Sequence, residues 1–513
     1  MAAVGYLLET AANQDPWSSQ HNPQHYCFYT ASSSKWWMVT QTASADVANN
    51  RDDFHLYLWD GTTPGSPGSA GGFALANASS NGDADGKVQI DDRDTGLPDL
   101  WWDEANQKLH VHSWHSTPKY GVLTYSSALN NWAVGWVPPL SSGGQSSGVA
   151  GTMPSGGFAV DSNGVVWCVF YATLTLQTRY LSGGTWTAGP TIESVAIITR
   201  GDSRVAVGTA TIGGVASVYC AYSYSTGVGG VGEWRFAYRA DSAALGAAWT
   251  QETIDTTQQI DDHISVASVV QSGNSNSTIV VIGKDDANDI LGWTRNASGT
   301  WAAVVKVATT ITRPRAVIDA SNEVVYVFFT NGSGDDDTIN YVTSPLPTLS
   351  WSAAAIAIDN GTAVADLNDA ITPNHTCTYL TDLMMGCTQN SIGVWWKLFD
   401  LLIPLPATPT LATPADAAVS QAVNPTLSWN AATYATTYDL QVATDAGFAS
   451  LVVNQTGIAA TSYAVSGLSN NVTYYWKVRG VNATGNGSYS TARTFTTVML
   501  SASKRRRVML GVG

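Results

Sequence analysis

Ala159-Val160-Asp161-Ser162-Asn163-Gly164-Val165-Val166-Trp167-Cys168-Val169 reads as an apolar strand, a tight turn and a returning apolar strand that carries an aromatic. Asp, Ser and Asn suit the turn because their short side chains satisfy neighbouring backbone groups. The same hairpin recurs along the chain. Earlier copies run from Phe28-Tyr29 to Trp37-Met38-Val39 and from Trp101-Trp102 to Leu109-His110-Val111. Later ones run from Thr209 to Val215-Ala216-Ser217-Val218-Tyr219 and from Val269-Val270 to Ile279-Val280-Val281. The last two run from Val317-Ile318-Asp319 to Val324-Val325-Tyr326-Val327 and from Thr378-Tyr379 to Met384-Met385-Gly386-Cys387. Seven copies spaced by about 58 residues describe an internal array.

Each hairpin is followed by a third strand with an aromatic, a turn and usually a Trp, as in Tyr125 then Trp132, Tyr180 then Trp186, Tyr238 then Trp249, Trp293 then Trp301, and Tyr341 then Trp351. Four strands per repeat, seven times over, predict a seven-bladed β-propeller across residues 1–403, with a six-bladed ring as the alternative. Radial repetition of that kind removes exposed sheet edges. The last repeat runs out of strands near Leu402, so Val4-Gly5-Tyr6-Leu7-Leu8 is expected to close the ring. The Asp161 hairpin resembles the BNR-repeat, sialidase-like propellers, although the complete Ser-x-Asp-x-Gly-x-x-Trp box occurs in no repeat.

The final hundred residues read differently. After Pro404-Leu405-Pro406-Ala407-Thr408-Pro409, runs such as Tyr438-Asp439-Leu440-Gln441-Val442 and Tyr475-Trp476-Lys477-Val478-Arg479 alternate with a period of two. Pro414, Leu427-Ser428-Trp429, Leu468 followed by Tyr474, and Phe495-Thr496-Thr497 make residues 404–498 similar to fibronectin type III domains. In that resemblance Leu468 and Tyr474 stand where such sandwiches carry a tyrosine corner. The segment has no Arg-Gly-Asp, so integrin-style binding is not implied. Residues 499–513 form a basic then apolar tail containing Lys504-Arg505-Arg506-Arg507, like the tails that end many tailed-phage structural proteins.

The whole is therefore expected to be all-β. Only 12% of its 513 residues are charged, with 47 Gly, 20 Trp and 21 Tyr, and no stretch has an apolar period of 3.6. A net charge of −15, with four of the 24 basic residues crowded in the tail, argues against nucleic acid, whose affinity rests on Lys and Arg neutralising phosphates. Cys27, Cys168, Cys220, Cys377 and Cys387 are scattered through apolar runs without metal-ligand spacing and read as buried thiols. The opening MAAVGYLLETAA has no apolar core of the secretory type, and no run approaches the ~20 residues of a membrane span, so neither export by signal peptide nor membrane insertion is expected.

Propeller sites gather on the face built from the loops before each inner strand and between second and third strands. Inner strands are expected to begin near Pro23, Pro98, Pro154, Pro314 and Pro373, since Pro donates nothing to a ladder. The loops ahead of them hold Arg93, Arg200, His263, Arg313 and Arg315, the candidate ligand-binding residues together with Trp114. Asp261, Asp262, Asp285, Asp335 and Asp336 are the candidate metal ligands, because clustered carboxylates suit Ca²⁺. Three readings stay open: ordinary turn residues, a Ca²⁺ site with no cofactor otherwise required, and a sugar site whose carboxylates act as acid and base. The BNR resemblance implies that an Arg cluster would face a substrate carboxylate. Trp36, Trp101 and Trp114 are candidate sugar platforms, while His110 and His112 read as satisfied strand histidines.

Taken together, these features predict a phage virion protein of the tail or capsid surface, made in the host cytoplasm and released by lysis. Its expected partners are a host-surface polysaccharide or neighbouring virion subunits. The alternative is a polysaccharide-degrading enzyme, a glycoside hydrolase or lyase of the BNR propeller type.

Overall fold

The computed structural model describes residues 6–10, 27–43, 52–59, 73–81, 88–91, 97–114, 118–135, 140, 144–147, 156–172, 175–194, 205–224, 232–258, 263–271, 273–285, 287–309, 311–331, 338–359, 367–373, 377–378, 381–389, 393–399, 401 and 403–499. Two compact units emerge, Met1–Leu401 and Leu402–Gly513. The elements with described bounds are β-strands throughout. No helix among the described residues is long and apolar enough to cross a membrane.

Among the described residues of the first unit the strands fall into seven sheets, mostly of four strands and antiparallel but for one pairing in the second, which fit the blades of a propeller. Sheet three shows the plan: Gly156–Val160, Val166–Ala172, Thr175–Ser182 and Thr185–Ala188 follow one another as a meander. The first strands of the seven sheets are Cys27–Thr30, Leu97–Asp103, Gly156–Val160, Val205–Ile212, Ile264–Val270, Ile311–Asp319 and Leu367–Ile371.

Sheet seven takes its outer strand from the start of the chain. Tyr6–Thr10 pairs with Gly393–Phe399, with Tyr6 opposite Trp396 and Leu7 opposite Trp395. Its first strand corrects the sequence reading, because Leu367–Ile371 precedes the expected start at Thr378. The intervening segment does different work. Pro373 bridges to Cys27 and Cys377 bridges to Asp319, so it laces sheet seven to both neighbours. Sheets one and two also share chain: Ala78–Ser80 runs parallel to Asn131–Val134 in sheet two, and Gln89–Asp91 returns to pair with Asp52–Trp59 in sheet one.

Large rings wedge neighbouring sheets together, and each junction has its own contact. Phe28 stacks on Trp102 at 5.3 Å between sheets one and two, and Trp234 meets Trp293 at 5.3 Å between four and five. Tyr171 Oη donates to Ser223 O (2.7 Å) across sheets three and four, and Ala316 N–H donates to Ser265 Oγ (3.0 Å) across five and six. Phe328 packs edge-on against Phe399 at 5.5 Å between six and seven, and Trp59 against Trp396 at 6.3 Å between one and seven.

Two junctions seat a Trp on a glycine. A Cβ at Gly156 would come within 2.5 Å of Trp114 Cη2, and a Cβ at Gly283 would collide with the Trp234 ring. Trp234 is fully buried, so it has nowhere to retreat. Gly283→Ala is therefore expected to destabilise the first unit by about 1–3 kcal/mol through overpacking, read as a lower urea midpoint. A midpoint matching the parent would remove this account of the junction.

The second unit is a sandwich. One sheet holds Leu411–Thr413, Thr426–Trp429 and Ser462–Ala464; the other runs in the order Ala418–Gln421, Arg493–Thr497, Thr473–Val481, Thr437–Ala443, Leu451–Ile458. Their inner faces bury Leu427, Trp429, Leu440, Trp476, Val478 and Phe495. Tyr474 Oη accepts the Ser469 N–H at 2.9 Å beside buried Leu468, which anchors the corner between the sheets. The Pro-rich segment is tied to this unit: Asn482 Nδ2 donates to Pro404 O (2.7 Å), and Ala407 N–H donates to Thr433 O (3.0 Å).

Candidate functional site

The first strands of the sheets carry small or branched residues where they approach one another, and space remains between them. A cavity of about 220 Å³ is bounded by Trp101 and Trp102, Val207 to Thr209, Val266 to Ser268, and Ala316 to Ile318. Position 208 must be glycine, since a Cβ there would lie 2.7 Å from Tyr219 Oη. This close approach brings the Tyr219 hydroxyl to the wall, where it hydrogen-bonds Ser268, while Ser268 Oγ donates to Thr209 O at 2.8 Å.

A larger cleft of about 760 Å³ shares Trp101, Trp102, Thr209 and Ser268 with that cavity. It opens where the first strands end and the hairpins turn. The Asp103–Asn106 and Asp161–Gly164 turns lie on its rim with Thr211, Ser217, Asp241 and Ser277. Trp101 is half-buried and offers an aromatic surface to both spaces.

Every carboxylate lining the cleft already accepts hydrogen bonds from its own surroundings. Asp103 accepts from Asn106 N–H (3.1 Å) and Nδ2 (2.8 Å). Glu104 accepts from the N–H groups of Ala31 (3.0 Å) and Ser32 (3.1 Å), from Trp102 Nε1 (2.7 Å) and from Gln107 Nε2 (2.9 Å), which holds its carboxyl below the usual range despite partial burial. Asp161 Oδ1 accepts from Asn163 and Val165 N–H (2.9 Å each) and its Oδ2 from Trp167 Nε1 (3.2 Å). Asp241 Oδ2 accepts from Ser162 N–H at 2.8 Å, whereas its Oδ1 is buried with no hydrogen-bond partner.

Burial pushes the Asp161 carboxyl up, and neighbouring Asp241 adds to the rise. Arg239 offsets part of this charge. Its guanidinium, 2% exposed, stacks 4.1 Å from the Trp167 ring, lies 4.0 Å from Asp161 Oδ2, and donates through Nη2 to Ala243 O and Ala244 O.

Apart from Trp101 and the Asp161 turn, the residues singled out by sequence lie elsewhere or outside the described residues. Arg93, Arg200, Asp261, Asp262, Asp335 and Asp336 fall outside them, as do His375 and the basic tail. Asp285 Oδ1 accepts from Ala287 N–H (2.9 Å) and Asp289 N–H (2.8 Å), the role of a turn residue. Among the described residues no group of three or more His, Cys, Asp and Glu could hold a metal ion. His263 is buried just before the strand Ile264–Val270. Arg313 takes a left-handed φ of 54° in the bulge that starts Ile311–Asp319, and Arg315 beyond it is buried.

Arg315 is near enough for its charge to act on Asp99, a buried carboxyl in Leu97–Asp103 that also faces Trp114. Trp114 is itself buried, its ring 4.1 Å from that of His112, and Trp36 is buried with its Nε1 donating to Thr381 O (2.8 Å). His110 Nδ1 pairs with Tyr120 Oη at 2.6 Å. Of the three expected platforms, Trp101 alone borders open space. All five cysteines are free and buried. The Arg239 and Asp241 pair escaped the sequence reading, although two charges in Tyr238-Arg239-Ala240-Asp241, at the end of an apolar strand, were a usable signal.

No protein-family model matches the chain, and no curated protein matches its sequence. Solved structures that resemble it include the BP39L lectin from Burkholderia pseudomallei, at 10% identity and a TM-score of 0.46, covering 74% of this chain and 100% of the lectin. A six-bladed β-propeller lectin from Aleuria aurantia with a fucose recognition mode aligns at 11% identity and a TM-score of 0.39, over 58% of this chain and 92% of its own. An Fn3-like protein from Clostridium thermocellum aligns at 22% identity and a TM-score of 0.15, over 19% of this chain and 97% of its own.

Proposed function

We propose that this chain is a glycan-binding adhesion protein: a seven-bladed β-propeller that holds a saccharide in the cleft beside Trp101, followed by a fibronectin type III module as spacer. The single observation that carries the reading is the 760 Å³ cleft itself, where a half-buried indole stands among carboxylates and hydroxyls fixed by their turns. Sugars are recognised by that combination, an aromatic face under the ring's C–H groups and fixed polar groups around its hydroxyls. Occupied carboxylates weigh against hydrolase or lyase chemistry. The seven sheets and the junctions between them support the blade count, and the Tyr474 to Ser469 corner supports the module.

The setting we propose is a phage virion surface, tail or capsid, with host-surface polysaccharide or neighbouring virion subunits as partners. The pairing of ring and sandwich and the low charge of the chain support it. Calcium is not required in this reading, and of its five candidate ligands Asp285 has its carboxylate taken up by its own turn.

The test is binding of the full chain to a panel of bacterial surface polysaccharides, with and without a calcium chelator, alongside Trp101→Ala. Retention without new chain ends, insensitive to chelator, is expected for the parent. Trp101→Ala should lose on the order of tenfold or more in affinity while keeping the circular dichroism spectrum of the parent, with a modest drop in thermal midpoint because the half-buried ring also packs against two core clusters. Equal binding by the variant would move the site elsewhere, and new chain ends would make the protein an enzyme.

A further inference from the structure

The lining of the cleft carries four carboxylates, Asp103, Glu104, Asp161 and Asp241, and among its described residues no Lys, Arg or His. Arg239 lies beneath the wall at 2% exposure, committed to the Trp167 ring and to two backbone carbonyls, so it presents no cation to the opening. A second feature points the same way. Asp241, 8% exposed on the cleft wall, is fixed by the Ser162 N–H on its Oδ2 (2.8 Å), so its carboxylate is held at the wall.

We infer that the saccharide held here is free of carboxylate and phosphate, and that a sugar bearing an ammonium group binds more tightly than its neutral counterpart. This inference rests on the cleft being the glycan site. An acidic chain would bring its own anions against four carboxylates, of whose charge the buried Arg239 offsets only part, in a partly enclosed space where like charges are poorly screened. Neutral sugar avoids the repulsion, and an amino sugar adds attraction to the carboxylates of the wall. The uronate or sialic acid implied by an Arg-lined propeller face is the ligand this cleft disfavours.

The experiment titrates the full chain with three tetrasaccharides of like size: glucosamine, N-acetylglucosamine and galacturonate. The expected order is cationic, then neutral, then anionic, with about tenfold or more between first and last at low salt, narrowing as salt rises. Asp241→Asn should reduce the ratio of cationic to neutral affinity several-fold. Galacturonate binding as tightly as the other two, with loss in Trp101→Ala, would overturn the inference while leaving the glycan site standing. Binding of all three that ignores Trp101→Ala, or binding of none by this chain or of any panel polysaccharide, would overturn the site and the inference with it.

Discussion

Trp37→Ala is expected to cost the first unit about 3–5 kcal/mol, the range for deleting a large aromatic from a packed interior. Trp37 is 1% exposed and sits in Lys35–Ala43 of sheet one, yet most of its ring contacts belong to sheet two. Trp132 meets it edge-on at 5.1 Å and Tyr125 at 5.3 Å, while Phe28 of its own sheet stacks at 6.4 Å. Its Nε1 donates to Thr30 Oγ1 at 3.1 Å, which orients the ring within the wedge. Truncation would leave a cavity that Trp132, Phe28 and Trp102 cannot fill together without leaving their own contacts. Urea unfolding followed by far-ultraviolet circular dichroism gives the loss, and Trp37→Phe should recover part of it by keeping a ring without the N–H. A loss below about 1 kcal/mol for Trp37→Ala would show that the wedge does not hold the sheets together.

That wedge was partly legible beforehand. Trp37 and Trp132 stand at recurrent positions in the hairpin and in the strand after the third, where period-two alternation and turn residues mark strand and face together. The pairing of Tyr125 with Trp132, and the use of Tyr6–Thr10 to complete sheet seven, follow from the same pattern. Illegible pieces have a common cause, which is short pairing without alternation. Ala78–Ser80 and Gln89–Asp91 are three residues each, and their partners are chosen by the tertiary fold. Leu367-Asn368-Asp369-Ala370-Ile371 is too polar to announce a first strand, so the stronger signal at Thr378 displaced it.

The site was less legible than the fold. Sequence directed attention to the loops ahead of the first strands, whereas the described cleft opens at the hairpin turns on the other end. Asp161 stood out as a turn motif and does serve as one, with three donors converging on its carboxylate. Its proximity to Arg239 and Asp241 joins residues some eighty positions apart across two sheets, which no local pattern reports. Asp99 in Leu97-Pro98-Asp99-Leu100-Trp101-Trp102 carried a different signal, a carboxylate inside an apolar run.

Asp99 should give the fold a measurable dependence on pH. It is 2% exposed, Leu100 N–H donates to its Oδ1 at 3.1 Å, and burial raises its pKa from 3.8 to about 7. Backbone donation from Phe158, the charge of Arg315 and the neighbouring Trp114 offset only part of that rise. Cys168 also feels the Asp99 charge, but burial keeps that thiol protonated well above neutrality. Between pH 4 and 7 the unfolded chain has released the Asp99 proton while the folded chain holds it. The unfolded state then binds fewer protons, so stability from this group is complete at low pH and is lost as pH rises through about 7. The full swing is on the order of 4 kcal/mol. His110 slopes the other way, since burial lowers its pKa from 6.5 to about 4 and its contribution is lost as pH falls through that range. The two nearly cancel in the parent below pH 6.5, which hides the effect unless one group is removed. Asp99→Asn removes it, so the stability of the variant relative to the parent should climb from pH 4 to pH 8 in urea titrations. A relative stability that stays flat across that window would mean that Asp99 is ionised in the folded protein, held by Arg315 more strongly than burial opposes it.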